Sequence, residues 1–273
     1  MTAASIVLDD VRFALDAGAA IDISIPLDFH GPQPNHFGAP PARARPLTAG
    51  GFVGDTRRGG SCNCEVLELT PHCNGTHTEC IGHVTHERAS VATTAFEPLL
   101  EALVVSVTPS PAEATDEGAD PPPRPGDRLV TAAALAAAAA GFAPGATALT
   151  VRTLPNGRDK ASRDYGGPDA PPYLSLEAVR WIVARGVRHL LLDLPSLDRS
   201  RDEGRLAGHR LFWGLPPGGT DAAAATRRDA TITELVYVPD EVPDGRYALC
   251  LQLPPLVTDA APSRPLLYPL EAA

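Results

Sequence analysis

Apolar residues recur along this chain in short runs, and the spacing inside each run selects its element. At the amino end Ile6, Val7, Val11, Phe13, Ala14 and Leu15 are spaced as on one side of a short amphipathic helix. Residues 21–27 (Ile-Asp-Ile-Ser-Ile-Pro-Leu) alternate with period two and predict a strand that Pro26 ends or confines to an edge. Further strands are predicted at 65–70, 99–107, 146–154, 187–193, 232–238 and 247–253, where apolar and β-branched residues cluster between turn signals. Thr131 is placed to cap an alanine-rich helix that runs to about Ala140 and stops at Gly141. Ser175 caps a second helix, with Leu176, Val179, Trp181, Ile182 and Val183 as its apolar positions and Gly186 as its stop. A third, short helix is predicted over 206–213.

Between these elements lie long segments rich in proline and glycine. Residues 28–60 read as an ordered loop or lid, and 109–127, 155–172 and 215–230 read as surface loops or insertions. Strands outnumber helices without a repeating β-α order, although the helix at 176 feeds the strand at 187. The expected fold class is therefore mixed α/β with helices on the outside.

Composition narrows the function classes. A chain of 273 residues can bury a substantial core, and it is read as one domain, 1–273. No run of about eighteen apolar residues is present to span a bilayer, so no membrane partner is expected. The first ten residues lack a basic region and carry acids where a signal peptide would be apolar, so a cytoplasmic location is expected. A net charge of -10 opposes attachment to phosphate backbones, which excludes nucleic acid as the expected partner. Lys160 is the only lysine, and its polar, glycine-flanked stretch offers nothing to desolvate it, which disfavours Schiff-base chemistry. Five cysteines are an odd and sparse set, so reduced thiols are expected.

The chemistry concentrates at 71–86, Pro-His-Cys-Asn-Gly-Thr-His-Thr-Glu-Cys-Ile-Gly-His-Val-Thr-His, which holds four of the eight histidines. On an extended backbone His77 and Glu79 project to one side, and Cys73 joins them if the strand continues back through Gly75. Imidazole, carboxylate and thiolate are divalent-metal ligands, and zinc or manganese would suit the set. His83 could be a further ligand or a free base. Cys62 and Cys64, one residue apart and without a second pair, do not match a structural zinc site. Cys80 reads as a small buried hydrophobe, His86 as a solvated loop residue and His189 as a satisfied imidazole inside a strand. A cysteine nucleophile at Cys73 beside His77 is the alternative chemistry, but it needs a lowered thiol pKa and an oxyanion hole.

The segment Gly75-Thr76-His77-x-Glu79-x-x-x-His83 resembles the signature His-x-Gly-Thr-His-x-Asp-x-Pro-x-His of the metal-dependent cyclase family, which includes bacterial kynurenine formamidase and isatin hydrolase. The run 186–198, Gly-Val-Arg-His-Leu-Leu-Leu-Asp-Leu-Pro-Ser-Leu-Asp, is similar to a second family segment, and His209 and Glu234 are similar to its later ligands. The likeness extends from Ile21 to about Pro265. The resemblance implies a swivelling β/β/α fold, usually oligomeric, here a homodimer or homotetramer. It also implies hydrolysis of an amide, formamide, lactam or lactone bond in a small-molecule substrate by water that the metal activates. In that scheme His77, Glu79, His209 and Glu234 hold the metal with His72 or Cys73, and His83 is the general base. Arg57 and Arg58, in the lid, would meet an anionic substrate, while Asp193, Ser196 and Asp198 shape a turn. The chain departs from the signature at three places: Cys73 stands at the first histidine, Glu79 replaces aspartate and Ile81 replaces proline. A metal-binding member without turnover is the alternative from another function class.

Overall fold

The valine- and leucine-rich runs form the middle of a nine-stranded sheet in a computed structural model that describes residues 3–8, 11–94, 97–167 and 169–272. In chain order its strands are β1 (Ile21–Asp22), β2 (His77–Glu79), β3 (Leu100–Val107), β4 (Ala148–Thr153), β5 (His189–Leu192), β6 (Thr231–Glu234), β7 (Gly245–Cys250), β8 (Ala260–Pro262) and β9 (Leu266–Pro269). Across the sheet the order is β8-β2-β6-β5-β4-β3-β7-β9-β1. The four central strands β3, β4, β5 and β6 run parallel, and the strands on both flanks are antiparallel. Both faces of the parallel centre are covered, which is why these strands are nearly continuous in apolar residues.

Alternation along the strands sorts the core into two layers. Leu103, Val105, Leu149, Val151, Leu190, Leu192 and Ile232 face the helices, where Leu135, Val179, Ile182, Phe212 and Trp213 meet them. Ala102, Val104, Ala148 and Leu191 face the other way, against Ile23, Val236, Tyr247 and Leu249. Three helices cover the first face: α1 (Ala132–Ala138), α2 (Leu176–Ala184) and α3 (Ala207–Phe212). Thr131 and Ser175 cap the first two as expected, accepting from the N–H groups of Ala134 and Ala178. The mixed α/β class with outer helices is therefore the observed one. Among the described residues no helix is long and apolar enough to cross a membrane.

Three expectations are corrected. The amino end is a hairpin, not a helix: Ala3–Leu8 pairs antiparallel with Val11–Asp16, which also takes Glu271–Ala272. Phe13 and Leu15 are both buried, two positions apart, so the period of two overrode the looser helical spacing. The 28–60 loop contains a ribbon, with Arg43–Pro46 paired to Glu65–Glu68 and a small hairpin at its end. Lys160 is buried rather than solvated. Its ammonium donates to Asp193 (2.7 Å), the Thr153 carbonyl (2.6 Å) and Asn156 (3.2 Å), and Asp193 lies just past the end of β5.

Burial pushes the Asp193 carboxyl up, and Lys160 and Thr153 oppose that push. Asp193→Ala would strand the Lys160 ammonium in the interior, so it should lower unfolding stability by about 3–5 kcal/mol. Urea denaturation at neutral pH reads this loss; a change below about 1 kcal/mol would show that the pair is not a buried ion pair.

Candidate metal centre

The chain reaches the centre through a tight turn. Cys73 and Asn74 both donate their N–H groups to the Thr70 carbonyl, and the Asn74 side chain accepts from the Thr70 N–H at 2.7 Å. Gly75 then takes φ +115°, a conformation that side chains resist, and its carbonyl accepts from His77 Nδ1 at 3.0 Å. Thr76 locks the turn by accepting from the Ile25 N–H (2.8 Å) and donating to the Leu235 carbonyl. Gly82 is required for a different reason: a Cβ there would lie 2.2 Å from the Ala89 carbonyl oxygen.

β2 pairs with β6 so that His77 stands opposite Glu234 and Glu79 opposite Ile232. Directly opposed residues share a face, so His77, Glu79 and Glu234 all point to the helical side, at the carboxyl end of the parallel strands. α3 brings His209 to the same place. All four residues are buried. His209 Nε2 lies 3.0 Å from Glu79 Oε1 and 3.5 Å from Glu234 Oε1, and His77 Nε2 lies 3.5 Å from Glu234 Oε2.

The tautomers are set from outside the cluster. His77 Nδ1 donates to the Gly75 carbonyl, and His209 Nδ1 donates to Asp198 at 2.7 Å, with Asp198 itself held by the N–H groups of Gly208 and His209. A neutral imidazole so arranged presents a bare Nε2 lone pair. Two such lone pairs converge on two carboxylates, an arrangement that repels unless a proton or a metal ion stands between them. His77 Nε2 is buried without a hydrogen-bond partner among the described residues, and the Glu79 oxygens meet imidazole nitrogens, with no arginine or lysine, at their nearest contacts. An orphaned buried acceptor beside such carboxylates fits a cation.

The remaining ligand-type groups form the more accessible side. His72 bridges two carboxylates, with Nδ1 3.0 Å from Glu79 Oε2 and Nε2 2.7 Å from Asp259 Oδ2. His83 stacks on His72 at 4.2 Å between ring centroids and spans the same two acids, 3.8 Å from Glu79 and 3.5 Å from Asp259. Three groups could each hold an ion: His72, His77 and Glu79; Glu79, His83 and His209; and His72, His83 and Asp259.

Charge sharpens the requirement. Among the described residues no arginine or lysine pairs with Glu79, Glu234, Asp198 or Asp259. Burial alone would push the Glu79 carboxyl up, but His83 and His209 hold it well below the usual carboxylate range. Burial pushes His209 down, and Glu79, Asp198 and Glu234 override it and raise it well above an ordinary imidazole. His72 behaves likewise: desolvation opposes protonation, while Asp259 and Glu79 bring it up to about 10. Positive charge is thus demanded at this place, and a divalent ion supplies it without protonating the ligand nitrogens.

Two sequence expectations change. Cys73 lies in the turn before β2, not on the strand, and belongs to none of the three ligand groups; the imidazole of His72 is the one beside Glu79. Burial and the nearby Glu234 charge push the Cys73 thiol up, away from a nucleophilic thiolate. Arg57 and Arg58 are not brought to the cluster: both are exposed on the ribbon side, and Arg57 folds onto Asp55 at 3.0 Å. Cys80 is buried against Val91 and Ala261, His86 is exposed, and His189 bonds Thr231 at 2.8 Å inside its strand. Two residues were not foreseen in their places. Asp198, read as shaping a turn, orients His209, and its position eleven residues before that histidine carried no periodic signal. Asp259 sits in a proline-rich, largely apolar loop, Pro-Pro-Leu-Val-Thr-Asp-Ala-Ala-Pro over 254–262, with no second ligand-type residue in its neighbourhood to mark it.

Residues 21–199 match the Cyclase family model ("Putative cyclase"). A search of curated proteins found no match. Isatin hydrolase A from Labrenzia aggregata, bound to benzyl benzoate, is a similar solved structure, with a TM-score of 0.62 and 18% identity over 93% of this chain and 96% of that one. Isatin hydrolase A from Ralstonia solanacearum gives 0.60 and 18%, covering 91% of each chain. A predicted metal-dependent hydrolase from Bacillus stearothermophilus gives 0.56 and 17%, covering 91% of this chain and 97% of that one. At these identities the likeness is one of fold.

Removing the carboxylate that orients a ligand imidazole typically weakens metal binding about 10–100-fold. Asp198→Asn should therefore weaken divalent-ion binding by about that factor with the far-ultraviolet circular dichroism unchanged. Competition against a chromophoric chelator measures it, and an unaltered affinity would remove His209 from the ligand set.

Proposed function

The chain belongs to the Cyclase family, and we propose that it is a metal-dependent hydrolase that cleaves the C–N bond of a small amide, formamide or lactam, with a lactone as the ester counterpart. The observation that carries this reading is the convergence of imidazole nitrogens on the fully buried Glu79 and Glu234 carboxylates, which have no arginine or lysine partner among the described residues. The neighbours named as isatin hydrolases and as a metal-dependent hydrolase support the same class.

In this scheme His77, Glu79, His209 and Glu234 hold the ion together with His72, and Asp198 and Asp259 orient His209 and His72. The donors are nitrogen and oxygen without sulfur, a set that suits either zinc or manganese. When bound, a divalent ion supplies Lewis acidity toward a carbonyl and makes water acidic near neutral pH.

The protein's own part is proton handling and exclusion of bulk water. His83 is more accessible than the buried four and lies against Glu79 at the edge of the centre. Asp259 faces its Nδ1 at 3.5 Å, so a proton on that nitrogen leaves Nε2 free toward the centre. His83 Nε2 takes the proton from the attacking water and returns it to the departing nitrogen, so that a carboxylic acid and an amine are formed. An imidazole suits this role because one ring nitrogen can accept a proton and give it back while the other stays hydrogen-bonded. The raised thiol pKa of Cys73 speaks against the cysteine route. A homodimer or homotetramer in the cytoplasm belongs to the same proposal, and sedimentation velocity reads its oligomeric part.

Purified protein should carry stoichiometric zinc or manganese and hydrolyse at least one member of a panel of N-formyl anilines, cyclic imides and lactones. Chelation should abolish that activity and re-addition restore it. Bound metal without turnover across the panel would favour a non-catalytic metal-binding protein. His83→Ala should keep the metal and lower kcat by about 10²–10⁴-fold; loss of metal instead would make His83 a ligand.

A further inference from the structure

A cavity of about 550 Å³ opens between α2 and α3, within the usual size for a small-molecule site. Leu176 and Arg180 line it from α2, and Ala207 and Leu211 line it from α3. Each pair is four residues apart and therefore on one face of its helix. The turns at 204–205 and 217–218 complete the lining, and no candidate ligand of the metal centre belongs to it.

The chemistry of this cavity comes from Arg210, the residue after His209 on α3, which lines it at 8% exposure. Its Nε donates to the Arg205 carbonyl at 3.0 Å, and its Nη1 donates to the carbonyls of Val84 (3.2 Å) and Gly219. These acceptors are neutral, so they satisfy N–H groups without compensating the charge. Nη2, with two further N–H groups, has no hydrogen-bond partner among the described residues, and no carboxylate there pairs with Arg210. A guanidinium keeps its charge at any physiological pH, and a buried charge without a counter-ion is costly. An anion in the cavity supplies both the missing charge and the missing acceptors.

The other arginines of the lining are already neutralised. Arg180 pairs with Glu177 at 2.9 Å, and Arg205 pairs with Asp120 at 2.7 Å and Glu203 at 3.3 Å. One uncompensated positive charge therefore remains, which matches a monoanion. The second charge of a phosphate ester would meet Asp120, itself part of the lining. Leu176, Leu211, Leu215 and Pro217 make the rest of the wall apolar, so the occupant joins one negative group to an apolar body.

We propose that this cavity is a second binding site, apart from the metal centre, for a small organic monocarboxylate. Its carboxylate sits on the Nη2 edge of Arg210 and its apolar body lies between Leu176, Leu211 and Leu215. The occupant is thus held by the helix that carries His209, and the site stands whatever reaction the centre carries out.

The test is calorimetric titration of the metal-loaded, full-length protein with hexanoate, with 1-hexanol as the uncharged counterpart of the same length. Hexanoate should bind, and 1-hexanol should bind at least about tenfold more weakly, because an arginine–carboxylate pair is a charge-assisted bond. Arg210→Gln should lower hexanoate affinity about tenfold or more with the metal content unchanged. Leu176→Trp fills the cavity from the opposite helix and leaves every arginine in place; it should weaken hexanoate by about tenfold through steric exclusion. If Arg210→Gln does not fold, Leu176→Trp decides alone. Retained hexanoate affinity in either folded variant overturns the proposal, because the carboxylate would then sit on the metal ion or elsewhere. Equal affinity for 1-hexanol, or no binding of hexanoate to the unaltered protein, overturns it as well. The readout is independent of turnover, so a protein that hydrolyses nothing yet binds hexanoate through Arg210 would sink the hydrolase reading and leave this one standing.

Discussion

Everything at the centre of this protein depends on an electrostatic demand that its own residues do not meet. Glu79 is buried with its oxygens faced by imidazole nitrogens, His209 Nε2 and His72 Nδ1 each at 3.0 Å, and the other nitrogen of each of these two rings is engaged by Asp198 or Asp259. Desolvated carboxylates and lone pairs facing each other are costly, and no arginine or lysine among the described residues relieves them. The positive charge must come from outside, as protons on the imidazoles or as a metal ion. The second solution uses every donor at once, and the Gly75 carbonyl and Asp198 hold His77 and His209 in the tautomer it needs.

The fold exists around that demand in a specific sense. A parallel four-stranded centre ends at Glu234, and the antiparallel strand β2 is added beside it in the one register that sets His77 opposite Glu234. A slip by one residue would turn His77 and Glu79 to the other face, where Thr78 now bonds Thr233 at 2.8 Å. Leu235, immediately after Glu234, takes φ 56°, and Leu206 at the start of α3 takes φ 46°, so strained backbone lies close to both of the late-sequence candidate ligands, Glu234 and His209. The apolar layer beneath, from Leu190 and Leu192 to Phe212 and Trp213, provides the rigidity that holds such conformations.

Much of this was legible in the sequence, and the reasons differ by element. The buried strands and the capped helices at Thr131 and Ser175 carry their own local signals, and the Gly-Thr-His-x-Glu-x-x-x-His spacing exposed one side of the centre. The amino-terminal hairpin was misread because a few apolar residues satisfy two periods at once, and its pairing with the far end of the chain decides between them. Lys160 looked solvated because its partner Asp193 is 33 residues away. Asp259, 187 residues from His72, could not be found by spacing at all.

The choice between His72 and Cys73 tests this account most directly, because it separates the geometry from the bare spacing of the signature. X-ray absorption at the metal edge of the zinc-loaded protein reads the donor atoms themselves. The structure predicts nitrogen and oxygen neighbours at about 2.0–2.2 Å with imidazole scattering and no sulfur. A sulfur neighbour at about 2.3 Å would place Cys73 on the ion, and a protein that retains no zinc would contradict the centre altogether.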